Sequence, residues 1–289
     1  MNDENLIIRE KCELKNGRLV MGLSGWMDGG DVSTGTINHL VEKLSAKKIA
    51  EMKPGGFYLY NFPGSMEIAS IFRPHCKIED GLVRAYDLPS NTFYCSGEHN
   101  LLLFCGTEPN INWDLFADAV FQMCRQCGVN RIYFVGSVTG LVPHTREPRL
   151  FCSVSHPALK ETLVHYGVKF SDYEGPASIV TYLTTLAPGR KTEMVSLVST
   201  VPAYVQGYNP MCITSVVRRL AGILEIEIPL DDMQQSSEEF EKRLNSLVEQ
   251  QPELAGNIRK LEEDYDNEVF NNELGDLKNW LEQQGLRVD

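Results

Sequence analysis

Long hydrophobic runs are missing from this sequence of 289 residues, whose most apolar stretches, such as 101–105, are short. Because a helix needs about 20 apolar residues to cross a bilayer, we expect no membrane-spanning segment. The acidic N-terminus Met1–Glu4 also lacks the basic start and apolar run of a signal peptide. We therefore predict a cytoplasmic protein with no membrane partner.

Cysteine is too sparse for a disulfide scaffold. The eight cysteines lie mostly inside apolar segments, whereas secreted scaffolds are shorter and denser in cysteine. Cys124 and Cys127 form a C-x-x-C pair, which could be redox-active or half of a zinc site. The pair falls in the last turn of a predicted helix, on its apolar side, and no second pair completes four ligands. We expect unreactive core thiols and no bound metal.

Signatures of common catalytic and nucleotide-binding sites are also absent. The sequence has no G-x-x-x-x-G-K-[ST] loop and no G-x-G-x-x-G spacing. The segment Gly22–Trp26 begins like the nucleophile elbow of hydrolases, but Trp26 stands where the last glycine belongs. Ser24 is therefore a poor candidate for a nucleophile. The six histidines do not pair at metal-binding spacing. We expect no cofactor and assign no catalytic residue.

Positive charge is scarce in the C-terminal part of the chain. The formal net charge is −12, and the residues from Glu225 onward hold 18 acidic and 6 basic residues, whereas the preceding part holds 21 of each. This change predicts an α/β domain over 1–229 and an acidic helical extension over 230–289, with a boundary near Pro229. Because acidic helices repel phosphate backbones, nucleic acid is not an expected partner. Three narrow apolar stripes predict that the extension docks on the body, on another tail helix or on another subunit.

Strand-like and helix-like patterns alternate through the body. The clearest unit runs from a strand at 101–105, through a helix over 113–127, to a strand at 131–135. Such a βαβ unit implies parallel pairing. We predict an α/β fold with a mostly parallel central sheet flanked by helices. Further strands are predicted at 19–23, 57–60, 82–88, 151–154 and 194–198, and further helices at 32–44, 157–166, 176–186 and 210–224.

Three polar loops follow predicted strands and should meet at one edge of the sheet, because parallel strands end at the same edge. A carboxylate, an imidazole and a guanidinium converging there could perform acid–base chemistry or hold an anion. The alternative is scaffolding, in which Asp28 and Asn110 form turns or helix caps and His144 and Arg146 are tied by internal bonds. The candidate pocket residues are Trp26, Asp28, Asp31, Thr107, Glu108, Asn110, His144 and Arg146.

Five motifs occur in the order of a known family. They are Gly25-Trp26-Met27-Asp28-Gly29-Gly30, Gly106-Thr107-Glu108-Pro109, Pro143-His144-Thr145-Arg146, Val201-Pro202-Ala203-Tyr204 and Leu261-Glu262-Glu263-Asp264-Tyr265-Asp266. Together they resemble the proteasome assembly chaperone 2 family, in its bacterial branch. Met27 and Gly29 depart from the Gly-Trp-Asn-Asp-Ala-Gly loop of that family, and the departure bears on ligand contacts by these two residues.

The resemblance implies an α/β fold similar to nucleoside phosphorylases and related hydrolases, self-association with a trimer or hexamer favoured, and binding to proteasome or other protein subunits. Our leading hypothesis is a non-enzymatic, chaperone-like homo-oligomer whose exact role is undefined. The alternative is a nucleoside phosphorylase-like or hydrolase-type enzyme that acts on a small molecule at the strand edge. An enzyme predicts one shared pocket of at least about 300 Å³, whereas an interaction protein predicts an exposed apolar patch.

Overall fold

The computed structural model describes residues 5–283, with side chains as far as residue 270. The N-terminus Met1–Glu4, on which the signal-peptide expectation depends, lies outside this range. Within the described part of the chain, every helix is too short or too polar to span a bilayer.

A nine-stranded sheet forms the centre of the molecule, in the order β1-β3-β6-β7-β2-β8-β11-β9-β10. The central strands β7, β2, β8 and β11 are mutually parallel. On the flanks, β9–β10 is parallel and the other pairs are antiparallel. The strands, with the separate hairpin β4–β5, are β1 (Leu6–Ile8), β2 (Gly17–Ser24), β3 (Lys47–Met52), β4 (His75–Glu79), β5 (Leu82–Asp87), β6 (Thr92–Ser96), β7 (Leu101–Thr107), β8 (Val129–Gly140), β9 (Leu150–Val154), β10 (Val168–Phe170) and β11 (Glu193–Pro202).

Helices cover both faces of the sheet, so the predicted α/β class is confirmed. Phe104 and Phe116 lie in the core beneath α3 and α5, whereas Leu103 and Val217 lie in the core beneath α1 and α6. The central strands are thus buried on both faces, which accounts for their continuous apolar sequence. The helices are α1 (Val32–Lys43), α2 (Met66–Ile71), α3 (Trp113–Cys127), α4 (Ala158–Leu163), α5 (Ile179–Leu186), α6 (Pro210–Leu224), α7 (Asp231–Glu249) and α8 (Pro252–Gln283).

The C-x-x-C pair lies at the end of α3, facing the core. Gly128 ends this helix in the left-handed conformation, with φ at 70°. Cys124 and Cys127 are both buried, as the sequence predicts. Burial raises the pKa of Cys127 to about 11 and raises the pKa of Cys124 as well. Both thiols are therefore protonated at neutral pH and pack as small apolar groups.

The segment 57–60, predicted as a strand, is a loop. Its backbone is bonded to another loop, because the Asn110 amide donates to the Phe57 carbonyl and the Leu59 amide donates to Asn110 Oδ1. The apolar run reflects core burial, since Phe57 packs edge-to-face on Phe116. The strands β1, β3, β4, β6 and β10 were not predicted, because they are short or polar flanking strands with weak alternation.

A disulfide joins Cys12, which follows β1, to Cys95 in β6. The cysteine content predicts no disulfide framework, and a single bridge between residues 83 apart cannot be inferred from cysteine spacing. The first strand pairs with β3 through only Leu6, Ile7 and Ile8. The bridge therefore tethers the N-terminal segment to the sheet.

The acidic extension forms two helices that dock on the body of the same chain. In α7, Met233 is buried among the residues of α1 and α6, and Asp232 pairs with Lys43 of α1 at 2.7 Å. In α8, Ile258 is buried. Two of the three predicted stripes lie on the continuous helix α8. The second of these two includes Leu274, Leu277 and Leu281, whose side chains lie outside the described residues.

Candidate functional site

The loop after β2 is fixed against the loop after β7 at the carboxyl edge of the sheet. Gly25 adopts a φ of 131°, which favours glycine, and its backbone packs against the Glu108 side chain. The next amide, that of Trp26, donates to Glu108 Oε2 at 3.1 Å. Trp26 is 54% exposed. Trp26 therefore exposes an apolar side chain to solvent, while the Glu108 carboxylate holds its backbone in place.

Asp28 binds the first turn of α1, whose N-cap residue is Asp31. Its carboxylate accepts hydrogen bonds from the Thr34 amide at 3.1 Å and the Thr34 hydroxyl at 2.8 Å. Burial raises the pKa of this carboxyl group, against the lowering effect of the hydrogen bonds from Thr34. Asp31 follows in the left-handed region, with φ at 53°, and is exposed. Asp28 therefore has the structural role that the scaffolding alternative gave it.

The loop after β7 forms one wall of a cleft. Thr107 accepts a hydrogen bond from Ser24 Oγ at 3.2 Å and donates its amide to Asn91 Oδ1 at 3.0 Å. Asn110 fixes the segment 57–59 in the way described above. The cleft has a volume of about 410 Å³, and its lining includes Tyr58, Arg73, His75, Thr107, Glu108 and Asn110.

His144 holds two elements together rather than facing open solvent. The side chain is buried. Its Nδ1 lies 2.8 Å from the Tyr204 hydroxyl, and its Nε2 lies 2.9 Å from Asn245 Oδ1. Tyr204 follows β11 and Asn245 belongs to α7. The imidazole therefore connects the sheet edge to the acidic extension.

Arg146 binds the second helix of the extension. Its guanidinium makes a two-point contact with the Asp266 carboxylate, at 2.8 and 2.7 Å, a geometry that suits arginine. The hydrogen bond raises the pKa of Arg146 and lowers the pKa of Asp266. The Thr145 hydroxyl donates to Glu262 on the same helix. Thr145 and Arg146 of the third loop thus dock α8 on the body.

A second set of ion pairs continues this docking surface. Glu268 of α8 pairs with Lys169 at 2.7 Å and with Arg149 at 2.8 Å. The hydrogen bond from Lys169, followed by the charge of Arg149, lowers the pKa of Glu268. Arg149 also lies 4.6 Å from the centre of the Tyr265 ring. Basic side chains of the body therefore meet the acidic face of α8.

The eight candidate residues do not line one pocket. Trp26, Asp28 and Asp31 belong to the loop before α1, Thr107, Glu108 and Asn110 line the cleft, and His144 and Arg146 dock the extension. The predicted convergence of carboxylate, imidazole and guanidinium is therefore not observed: His144 and Arg146 line a separate void of about 20 Å³. The reason is that partners more than 100 residues later occupy both side chains. Among the side chains described up to residue 270, no cluster of three or more metal-type ligands occurs.

Exposed apolar side chains occupy the same edge. We call Trp26, Val138, Leu141 and Tyr208 the apolar rim; all four are exposed, Leu141 by 82%. Backbone bonds hold three loops together here, because the Ser137 amide donates to the Met27 carbonyl at 2.9 Å and the Asn209 amide donates to the Gly30 carbonyl at 2.9 Å. Of these four residues only Trp26 was predicted, because isolated apolar residues in loops, such as Leu141 and Tyr208, or at the end of a strand, such as Val138, carry no periodic signal.

A groove adjoins the rim at Tyr208. It has a volume of about 630 Å³ and separates the loop after β11 from α7. Its lining is largely apolar and includes Tyr204, Val205, Tyr208, Phe240, Leu244 and Leu247. The rim and groove together form an apolar surface. The polar side chains beside it are already bonded to other groups of the same chain.

These features define the class: an α/β protein with a helical extension, whose sheet edge carries internally bonded polar loops and an apolar surface. A family model described as the PAC2 family matches residues 22–248. The chain belongs to this family, which confirms the resemblance inferred from the five motifs. No curated protein matches the sequence.

Solved structures support the same assignment. A proteasome-assembly chaperone homologue from Mycobacterium tuberculosis has 25% identity and a TM-score of 0.72, with 83% of this chain and 99% of that chain covered. A PAC2 family protein from Streptomyces avermitilis has 23% identity and a TM-score of 0.70, covering 83% and 99%. PbaB of Pyrococcus furiosus, an archaeal proteasome activator, has 21% identity and a TM-score of 0.63, covering 84% and 97%. The last two share the fold with this chain.

Proposed function

We propose that this protein is a non-enzymatic, self-associating interaction protein that binds proteasome-type subunits through the apolar rim and adjoining groove. The observation that carries the proposal is the contrast at the sheet edge. Apolar side chains such as Trp26 and Leu141 are exposed, whereas the polar side chains beside them are engaged by the protein itself. Exposed apolar patches bordered by polar residues are typical of protein–protein contact sites.

The occupied polar groups argue against catalysis at this edge. A general acid or base needs a free proton-transfer atom within reach of a substrate. The Asp28 carboxylate accepts a hydrogen bond from Thr34, and the Arg146 guanidinium donates to Asp266. His144 has both ring nitrogens bonded within the chain. Acid–base chemistry at these groups would first require the extension or the loop to move away, so that these hydrogen bonds are broken.

The kind of partner is inferred from the relatives. The Mycobacterium tuberculosis homologue is named for proteasome assembly, and the Pyrococcus furiosus protein is an archaeal proteasome activator. Because the chain belongs to the same family, a proteasome-type subunit is the partner that we propose for the rim. The proposal places the protein in the cytoplasm, where the Cys12–Cys95 pair is expected to be largely reduced.

Binding to immobilised actinobacterial proteasome α subunits, measured by surface plasmon resonance, tests this proposal. The double variant Trp26→Ala/Leu141→Glu removes the central apolar contact and is expected to weaken binding at least about 10-fold, as for interface hot spots. Val164→Glu is the matched control, because Val164 is equally exposed (54%) and lies outside the rim. Equal affinities for the double variant and the control, or no binding by the wild type, would contradict the proposal.

A further inference from the structure

The N-terminal segment, residues 5–12, is held to the central sheet by few noncovalent contacts. Its strand β1 lies at one edge of the sheet and pairs with β3 through three residues. Within the segment only Leu6 and the bridged Cys12 are buried, whereas Ile7 and Ile8 are exposed. Edge elements with so little buried surface open locally at a low free-energy cost unless another contact holds them.

An ion pair and a disulfide link this segment to the sheet. Arg9 pairs with Glu51 at 2.9 Å in an exposed position, where ion pairs add little stability. The stronger link is the disulfide between Cys12, which follows β1, and Cys95 on β6. Because β1, β3 and β6 are consecutive in the sheet, the bridge ties the segment to the strand beyond β3.

The chain after Cys12 is fixed by contacts that do not need the bridge. The buried Leu14 donates its amide to the Cys127 carbonyl at 2.9 Å. The Lys15 amide donates to Asn100 Oδ1, and Asn100 Nδ2 donates to the Lys15 carbonyl. Cleavage of the bridge therefore removes the covalent hold on residues 5–12 and leaves the chain attached from Leu14 onward.

A surface cavity gives a reagent access to one of the two sulfurs. The cavity has a volume of about 310 Å³, and Cys95 belongs to its lining. Cys95 is half-buried, whereas Cys12 is only 6% exposed. The charged lining residues are Glu10, Lys11, Lys47 and Glu98. Their charges balance, so the cavity does not repel an anionic thiolate. Since thiol–disulfide exchange depends on access to the attacked sulfur, Cys95 is the sulfur that a reductant reaches first.

We propose that the Cys12–Cys95 bond is a reversible redox switch, in which reduction at Cys95 releases β1 from the edge of the sheet and oxidation locks it in place. The reduced form then presents the unpaired edge of β3, a backbone surface that β1 covers in the oxidised form. The inference goes beyond the proposed binding function and does not depend on what binds the apolar rim.

Reduction by a dithiol transfers two electrons to the bridge. A thiolate of the dithiol attacks the Cys95 sulfur, the S–S bond breaks, and Cys12 leaves as a thiolate that takes up a proton. The second thiolate of the dithiol then displaces Cys95, which also takes up a proton, and the reductant becomes a disulfide. A peroxide reverses the change. One cysteine thiolate attacks the peroxide to give a sulfenic acid and hydroxide, and the other thiolate then displaces the second hydroxide and forms the S–S bond.

Hydrogen-exchange mass spectrometry of the full chain at pH 7, oxidised with hydrogen peroxide and then reduced with dithiothreitol, tests the switch. Reduction is expected to speed exchange at least about 10-fold in β1 and in the β3 amides that face it. The Lys53 amide, which donates to the Asn5 carbonyl at 2.9 Å, should respond in the same way. The central strand β7 should stay protected over the same hours in both forms.

Two variants separate the bridge from other effects of the reductant. Cys12→Ser/Cys95→Ser should exchange like the reduced wild type, with or without dithiothreitol. Cys76→Ser is the matched control, because it removes an exposed thiol outside the bridge and should keep the full response. Equal exchange of β1 in the oxidised and reduced wild type would overturn the switch. An equal acceleration in β7 would also overturn it, since reduction would then weaken the whole fold.

Glutathione, a monothiol, identifies the sulfur that is attacked. After brief exposure and rapid alkylation with N-ethylmaleimide, peptide mass spectrometry should find glutathione on Cys95 and maleimide on Cys12. Glutathione mainly on Cys12 would contradict the assignment of Cys95. Hydrogen peroxide should restore the bridge in reduced protein, and its failure to do so would show that the pair is not a reversible switch.

Discussion

Replacing His144 with alanine should loosen the extension from the body by an amount that can be worked out from its contacts. The imidazole is buried and has two side-chain partners, the Tyr204 hydroxyl and the Asn245 amide oxygen. Each hydrogen bond contributes about 0.5–1.5 kcal/mol net. Because both hydrogen bonds and some packing are lost, the free energy of unfolding of the variant should be about 2–3 kcal/mol lower than that of the wild type. Asn245→Ala removes one bond and should cost about 1 kcal/mol.

Urea unfolding of the single and double variants measures this directly. Because both side chains share one hydrogen bond, the double variant should be about 1 kcal/mol less destabilised than the sum of the single variants. Hydrogen exchange should also become faster across α7. Strict additivity, with unchanged exchange in residues 231–249, would show that His144 does not anchor the extension.

Three further predictions concern protons, thiols and the disulfide. The hydrogen bond to Lys169 lowers the pKa of Glu268, so the Glu268 carboxylate stabilises docking above its unfolded pKa near 4.5, and this stabilisation is lost as pH falls through the lower folded pKa. The radius of gyration should therefore rise below about pH 4.5 before the near-UV circular dichroism signal is lost. A single simultaneous change in both signals would refute this prediction. The two buried thiols at the end of α3 should react with a thiol reagent at neutral pH far more slowly than in urea, and equal rates would be a contradiction. Reduction of the Cys12–Cys95 bond should lower the unfolding free energy by about 2–4 kcal/mol, and an unchanged urea midpoint would argue against the bridge.

The core of the fold could be predicted because its signals are local. The apolar strands around Leu103 and Ile132 and the amphipathic helix between them have strong periodicity, and together they imply a parallel unit. Outside this central unit the prediction was partial. Strands were predicted at 82–88 and 151–154, where β5 and β9 lie, whereas β4 was missed, and it is exposed along its whole length.

The segment around Phe57 shows the opposite error. Its apolar residues are buried, but its backbone groups bond to a loop instead of a neighbouring strand. A short apolar run records burial and does not by itself distinguish a strand from a packed loop. The prediction was wrong because tertiary contacts decided the backbone conformation.

The organisation of the candidate site could not be predicted from the sequence. Because β2, β7 and β8 are parallel, the loops of Trp26, Glu108 and His144 follow strands that end at one edge of the sheet. The partners of the third loop could not be foreseen, because Asn245 and Asp266 lie on helices far along the chain. Pairing at this distance depends on how the extension docks, and the charge pattern alone does not specify that.

We propose that the sheet edge binds a protein partner through its exposed apolar side chains. Hydrogen-exchange mass spectrometry of the full chain, alone and with proteasome α subunits, measures this at the level of single loops. Exchange is expected to slow on binding in the loops that carry Trp26, Leu141 and Tyr208, with little change in α4. Unchanged exchange in all three loops at saturating partner would show that the sheet edge is not the binding surface.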